Sequence, residues 1–237
     1  MQWKSALADD PDGPRNHGGT VEWVLDHLRD GILNSRFAPG QRLVESDLSR
    51  DLGISRGSLR EAFRRLSAEG LIQLVPNRGA VVRRLSLRET MELFQIRREL
   101  EGLAARLAAI NIGDPQVHQA FSAAIVPIWN EVPRLSSVAY LDENKQFHDA
   151  VMAASGNAQI IVVSQQLQLP LIMSQLSNVL TAEILRESVC EHRLIADAIL
   201  AGKSDEAEAA MRKHLDRAIE FTSTALPPTL HRRATAR

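Results

Sequence analysis

The chain has 237 residues, is 44% hydrophobic but only 4% aromatic, and carries a formal net charge of −1. That length holds one large domain or two modest ones with real cores, and the abundance of Leu, Ala, Arg and Glu favours helix over sheet. No stretch approaches the roughly 18 consecutive apolar residues of a membrane span, so none is expected. The single cysteine, Cys190, excludes an intramolecular disulfide and suits a reducing cytoplasm. The charge is uneven: residues 21–85 carry 11 Lys+Arg against 8 Asp+Glu, and residues 86–237 carry 15 against 18. An imbalance this small permits a local basic face on the first part without identifying a nucleic-acid binder.

The opening MQWKSALADDPDGPRNHGG lacks the apolar core of a signal peptide, and residues 1–18 read as a disordered lead-in. In VEWVLDHLRDGILNSRF, Val21, Val24, Leu25, Leu28 and Ile32 recur at helical spacing, with Gly31 and Asn34 marking a fraying end. APGQRL is a turn broken at Pro39-Gly40. VESDLSRDLG predicts a short helix closed by Gly53, where a left-handed residue is usual. Ser55 can cap the next helix, which runs to about Glu69 and stops at Gly70. LIQLVPNRGAVVRRL is two β-prone runs around Pro76-Asn77-Arg78-Gly79, a hairpin signal. Three helices and a hairpin over residues 19–85 make a winged helix-turn-helix, the expected DNA-binding domain.

From Ser86 the pattern is helical. LSLRETMELFQIRRELEGLAARLAAI reads as a long amphipathic helix, opened by a capping box of Ser86 and Glu89. Gly113-Asp114-Pro115 separates it from a helix through about Trp129, and helices follow at about 137–154, 157–178, 181–201 and 204–224, with Pro170 kinking or breaking the second of these. The expected domain is an all-α bundle over residues 86–225, ending in a disordered tail at 226–237. The fold class is therefore mainly α. Trp23 and Trp129 read as core or interface packing, and Cys190 as a small buried hydrophobe.

Two sets of residues carry chemistry. Arg56, Arg60 and Arg64 stand at i, i+4 and i+8 beside a buried stripe of Leu59, Ala62, Phe63 and Leu66. A guanidinium fork bonds guanine bidentately or clamps a phosphate. Ser58 and the first-turn amides can hold a backbone phosphate, and Arg78 beside Gly79 can enter the adjacent minor groove. Three exposed arginines can equally be solvated, but Glu61 and Glu69 are the only acids on this helix. Few internal partners are expected, so the position of the arginines on the second helix of a helix-turn-helix favours DNA.

The second set is His148, His192 and His214, each on a different predicted helix near its apolar stripe. Facing helices of a bundle can bring such side chains together around a metal. Asn144, one turn before His148, can add an oxygen ligand. Taken singly, each is more often a satisfied or exposed histidine, and spacing does not show that the three helices converge.

The run PGQRLVESDLSRDLGISRGSLREAFRRLSAEGLIQLVPNRGAVV resembles the N-terminal domain of the GntR family of bacterial transcription regulators. The resemblance implies that Arg56 and Arg60 contact bases or nearby phosphates and that the wing at Arg78-Gly79 completes the grip. Ser46 stands where the family often has an arginine, removing a contact that Arg50 does not obviously replace. FQIRRELEGLAARLAA, FHDAVMAASGN and EHRLIADAILAGKSDEAEAAMRKHL resemble the FCD-type ligand-sensing domain of the FadR branch, in its smaller, VanR-like six-helix form. That resemblance implies a divalent metal, zinc or nickel, on Asn144, His148, His192 and His214. The family has Asp or Asn at the first of these positions; Asn carries one negative charge fewer, which implies weaker or more water-rich coordination, and Arg97 is implied to pair with a carboxylate ligand. The bland alternative for Arg97 is an ion pair with Glu101 one turn on.

The expected function is a ligand-responsive, cytoplasmic, homodimeric regulator, by default a repressor of a catabolic or transport operon. It would bind double-stranded operator DNA and a small carboxylate effector. The alternatives are a regulator sensing the metal itself, or a metalloenzyme using Glu187 or Glu191 as base.

Overall fold

The computed structural model describes residues 20–33, 36–76, 79–130, 137–166 and 180–225. The lead-in, Asn34, Arg78, Pro170 and the tail, all assigned roles above, lie outside the described residues. The chain divides into two compact units, residues 1–84 and 85–237.

In the first unit, α1 (Thr20–Leu33) buries Val24, Leu25, Leu28 and Ile32. Gly31 is itself buried within this helix, because a Cβ there would collide with the ring of Phe37. After the Pro39-Gly40 turn, Arg42–Leu43 forms a two-residue strand, β1. The sequence shows only the turn there, since two residues are too few for an alternating pattern to register.

α2 (Glu45–Asp51) and α3 (Arg56–Ala68) are the paired helices of the motif. Gly53 (φ 65°) separates them and Gly70 (φ 71°) follows the second. Ser55 caps α3, its side chain accepting from the Ser58 amide at 3.1 Å. The wing is β2 (Ile72–Val75) and β3 (Gly79–Val82), antiparallel, with β1 on the other side of β3. Gly79 (φ 84°) closes this sheet: a Cβ would strike the Leu43 carbonyl of β1.

The second unit begins with α4 (Leu87–Asn111), opened by the expected reciprocal cap of Ser86 and Glu89. α5 (Pro115–Ala124) is capped by Asp114. The helix expected to continue to Trp129 instead tightens into a 3₁₀ turn at Val126–Trp129. Pro127 is the cause, because it lacks an amide donor and its ring clashes with an α-helical carbonyl four residues back. α6 (Ser137–Ala154), α7 (Ala158–Gln166), α8 (Ala182–Leu200) and α9 (Ser204–Ala225) complete the described bundle. α4 packs most extensively along α9 and also meets α6 and α8, so these four helices surround the interior where the histidines lie.

α4 is not simply amphipathic. Its inward face carries Phe94 and small residues, Gly102, Ala104, Ala105, Ala108 and Ala109, while Ile96, Leu103 and Ile110 stand exposed on the outside. Cys190 is exposed, not buried as expected. Neither tryptophan is a core residue: Trp23 is half-buried and stacks on His27, and Trp129 is exposed beneath the Arg193 guanidinium. Among the described residues no helix is long and apolar enough to cross a membrane.

Candidate DNA-reading face and metal centre

α3 presents Arg56, Arg60 and Arg64 on its exposed side. Together with Arg42, Ser46 and Gly79 they line an open cleft of about 740 Å³ between the helix pair and the wing. Arg42 is an addition to the sequence reading, and the two-residue strand that carries it is the part that left no signal.

Few internal partners are expected for these arginines, and two of the three have one. Arg60 Nε donates to Glu45 Oε2 at 2.9 Å, and Arg64 Nη1 to Glu61 Oε2 at 2.7 Å. Glu45 belongs to α2, so surveying acids on one helix overlooked it. The Arg60 and Arg64 side chains remain 60% and 66% exposed. Solvated pairs of this kind are worth about 0–1 kcal/mol, a small barrier to exchange for phosphate or a base edge. Arg56 makes no ion pair among the described residues. The Ser58 amide is used by the Ser55 cap, and its hydroxyl lies 3.0 Å from Ser55 Oγ. The position opposite Ser46 is not filled by Arg50, which pairs with Asp47 and Asp51.

In the second unit the three histidines converge. His148 comes from α6, His192 from α8 and His214 from α9, and one nitrogen from each lies within 4.8 Å of the others. Ring centroids are 4.7–5.4 Å apart, and all three side chains are buried. Phe147 stacks on His192 at 4.2 Å, fixing that ring from its other side. Asn144 is buried beside them, with its Oδ1 accepting from Tyr140 Oη at 3.2 Å. Tyr140 Oη is also 2.5 Å from Ser188 Oγ, and burial pushes its pKa up to about 12.

Carboxylates set the orientation of two rings. His148 Nδ1 lies 2.6 Å from Glu101 Oε2, and His214 Nδ1 lies 2.7 Å from Glu191 Oε2. Glu101 is held in turn by Arg97 at 2.7 Å, and Glu191 by Arg217 at 2.6 Å. Burial alone would raise the Glu101 pKa, but the Arg97 guanidinium and His148 outweigh it and hold the carboxyl far below its usual range. Glu191 is lowered likewise, hydrogen bonds from His214 and Arg217 overcoming burial. Burial lowers the pKa of His214 despite Glu191, so its ring is neutral at pH 7.

This donor set fits a divalent metal. Buried imidazoles converge from three helices, and Nδ1 of two of them is engaged by carboxylates, which leaves Nε2 for an ion. That is the usual outer-shell arrangement of histidine metal sites. His148, His192 and His214 would hold the ion, with Asn144 as an oxygen donor. The sequence reading missed Glu191 as an orienting group, because its contact with His214 runs between two helices. Glu187 and Glu191, the candidate bases of a metalloenzyme, are both paired with Arg217. Arg97 and Glu101 form the i, i+4 pair, fully buried, and Arg97 also lines a cavity of about 50 Å³ beside Asn144, His148 and His214.

The sequence matches the bacterial regulatory proteins of the gntR family over residues 20–82 and the FCD domain over residues 92–217. It is 30% identical over 210 residues to a probable D-xylose utilization operon transcriptional repressor of Paenarthrobacter nicotinovorans, spanning 88% of each chain. It is 27% identical to the transcriptional repressor GlaR of Escherichia coli, spanning 79% of this chain and 89% of that one. Among solved structures, a putative GntR regulator from Rhodococcus sp. RHA1 superposes with a TM-score of 0.69 at 23% identity, covering 87% of this chain and 99% of that one. E. coli McbR/YncC gives 0.66 at 20% identity, covering 86% and 97%. These structural likenesses establish the fold. The chain belongs to the GntR family of bacterial transcription regulators and is a DNA-binding regulator, with a winged helix-turn-helix followed by an FCD domain.

Proposed function

We propose that the protein is a cytoplasmic, homodimeric repressor of a catabolic or transport operon, and that a small carboxylate, held with the help of a divalent metal, alters its affinity for the operator. The observation that carries this reading is the buried cluster of His148, His192 and His214 beside Arg97. An ion there supplies a positive centre for a carboxylate, and Arg97 adds a second cation at the cavity wall. The cavity of about 50 Å³ is far below the roughly 300–1,000 Å³ of small-molecule sites. A carboxylate of several carbons therefore binds only if the surrounding helices part. A ligand that favours the parted arrangement shifts the protein towards it by its differential affinity for the two.

The same small volume favours a second reading, in which the metal alone is the signal. Operator fragments from the flanking intergenic DNA separate the two when binding is measured with metal-free protein, with zinc or nickel added, and with metal plus candidate organic acids. A change in affinity on adding metal alone supports the second reading; a change requiring the acid supports the first. Absence of operator binding under every condition would remove both.

The reading head has its own test. Arg60→Ala is expected to weaken operator binding by about 1–3 kcal/mol, the worth of a good bidentate base contact. Glu45→Gln acts in the opposite sense on non-specific DNA. It removes a negative charge beside the phosphates and frees the Arg60 fork, so non-specific affinity rises while the ratio of operator to non-specific binding falls. Fluorescence anisotropy on operator and scrambled duplexes at matched salt reads both. An unchanged ratio in Glu45→Gln would show that the Glu45–Arg60 contact does not position the fork.

A further inference from the structure

Beside the histidines the bundle holds a chain of hydroxyl groups that metal ligation alone does not require. Tyr140, Asn144 and His148 follow one another at intervals of four on α6, and Ser188 and His192 do the same on α8. Each set therefore shares one helix face. Tyr140 stands one turn out from Asn144 and Ser188 one turn out from His192, and both line the cavity with Asn144, His148 and His214. The setting is apolar: Tyr140 belongs to a buried cluster with Leu185 and Val189, packed by Leu141 and Leu180. Tyr140, Asn144 and Ser188 are all buried. Polar side chains in such a place cost free energy unless each is hydrogen-bonded.

The donors fix the direction of these bonds. Tyr140 Oη donates to Asn144 Oδ1 at 3.2 Å, and its single hydrogen is then spent. In the 2.5 Å contact with Ser188 Oγ, Ser188 therefore donates and Tyr140 accepts. The chain runs from Ser188 to Tyr140 to Asn144 and ends on the amide oxygen. We infer that this chain positions Asn144, fixing its amide so that the oxygen, not the nitrogen, serves the metal. The inference rests on the metal centre proposed above and adds Tyr140 and Ser188 to it as positioning residues.

The chemistry of an amide creates the need for such a chain. The last torsion of asparagine is broad and roughly two-fold, so its oxygen and nitrogen ends exchange at little steric cost. Only the oxygen is a ligand; the NH₂ end presents hydrogens to a cation. An aspartate has two equivalent oxygens and needs no such control, so the requirement arises from having Asn at position 144. The metal and the hydroxyl then impose the same choice. A cation repels the NH₂ end, and a donating Tyr140 is satisfied only by the oxygen end. Oδ1 keeps a second lone pair for the ion once Tyr140 occupies the first. Ser188 contributes by giving its hydrogen to Tyr140 Oη, which turns the tyrosine hydrogen towards Asn144, and hydrogen bonds in series strengthen one another.

The test titrates the metal-free full chain with zinc in competition with a chromophoric chelator, and with cobalt(II), whose visible bands report coordination. Tyr140→Phe keeps the ring and removes the hydroxyl. It is expected to weaken zinc binding by about tenfold, the low end for a partner of a metal ligand, and to alter the cobalt bands. Ser188→Ala breaks the chain at its far end and is expected to weaken zinc binding by less; should Tyr140→Phe fail to fold, Ser188→Ala carries the same comparison. Asn144→Asp removes the need for orientation. Adding Tyr140→Phe to it should therefore cost little zinc affinity and leave the cobalt bands of Asn144→Asp unchanged. An equal loss of affinity in both backgrounds would show that Tyr140 acts through packing, and no loss in either would show that Asn144 is oriented without it. Both results overturn the inference and leave the metal centre standing. A wild type that binds neither ion removes the metal centre and the inference together.

Discussion

Metal-free protein is expected to gain thermal stability when zinc or nickel is added, and His192→Ala is expected to lose that gain. An ion that binds only the folded chain stabilises it by RT ln(1 + [M]/Kd), or about 2.7 kcal/mol at a hundredfold excess over Kd. For a unit of this size each kcal/mol raises Tm by about 2–4 °C, so the shift should be roughly 5–10 °C. His192 is the informative ligand to remove. His148 and His214 each have a carboxylate at Nδ1, so replacing either would also strand a buried acid. The His192 ring packs on Phe147, so its loss lowers the metal-free Tm as well through the void it leaves. The metal-dependent increment is therefore the readout. Glu191→Gln keeps all three imidazoles but weakens the hold on His214, and should reduce metal affinity by about 10- to 100-fold. Equal increments in wild type and His192→Ala would mean that the histidines do not bind the ion.

Local signals in the sequence led correctly to local structure. Ser55 caps α3, Gly53 and Gly70 take the left-handed backbone that ends a helix, and Ser86 with Glu89 closes the box that starts α4. Each depends on residues within a few positions of one another, which is the range over which composition determines backbone geometry. The misreadings arise where a second element intervenes. The Glu45 contact with Arg60 joins two helices, and the contact of Glu191 with His214 joins two others; no periodicity within one helix encodes either. Cys190 shows a different error. Two residues before an inward histidine, it lies about 200° around the helix, which points it to solvent. Helix geometry therefore decides its exposure, over the hydrophobic character of cysteine. The exposed Ile96, Leu103 and Ile110 of α4 are likewise present in the sequence, overlapped by a second, inward set of small residues. Two interleaved patterns on one helix read as a single amphipathic one until exposure separates them.

The buried Arg97–Glu101 pair gives the largest effect expected on stability alone. Both side chains are 3% exposed and their contact is 2.7 Å, so neither charge is solvated. Glu101→Gln leaves the guanidinium buried without its counter-charge, which costs about 3–5 kcal/mol in comparable pairs. Replacing both residues, as in Arg97→Met with Glu101→Leu, removes the uncompensated charge and should recover much of that loss, although His148 then lacks its carboxylate. Urea denaturation of the metal-free proteins measures the difference. The pH dependence follows from the lowered Glu101 pKa. Folding favours the ionised carboxylate, so the stabilisation is fully present above the unfolded carboxyl pKa of about 4.3 and declines as pH falls below it towards the folded value. The gap between wild type and Glu101→Gln should therefore stay level from about pH 5.5 to 8 and narrow in stronger acid. A gap under about 1 kcal/mol at neutral pH would place water or another charge beside Arg97. A gap that widened in acid would require the carboxyl to be protonated more easily in the folded state than in the unfolded one.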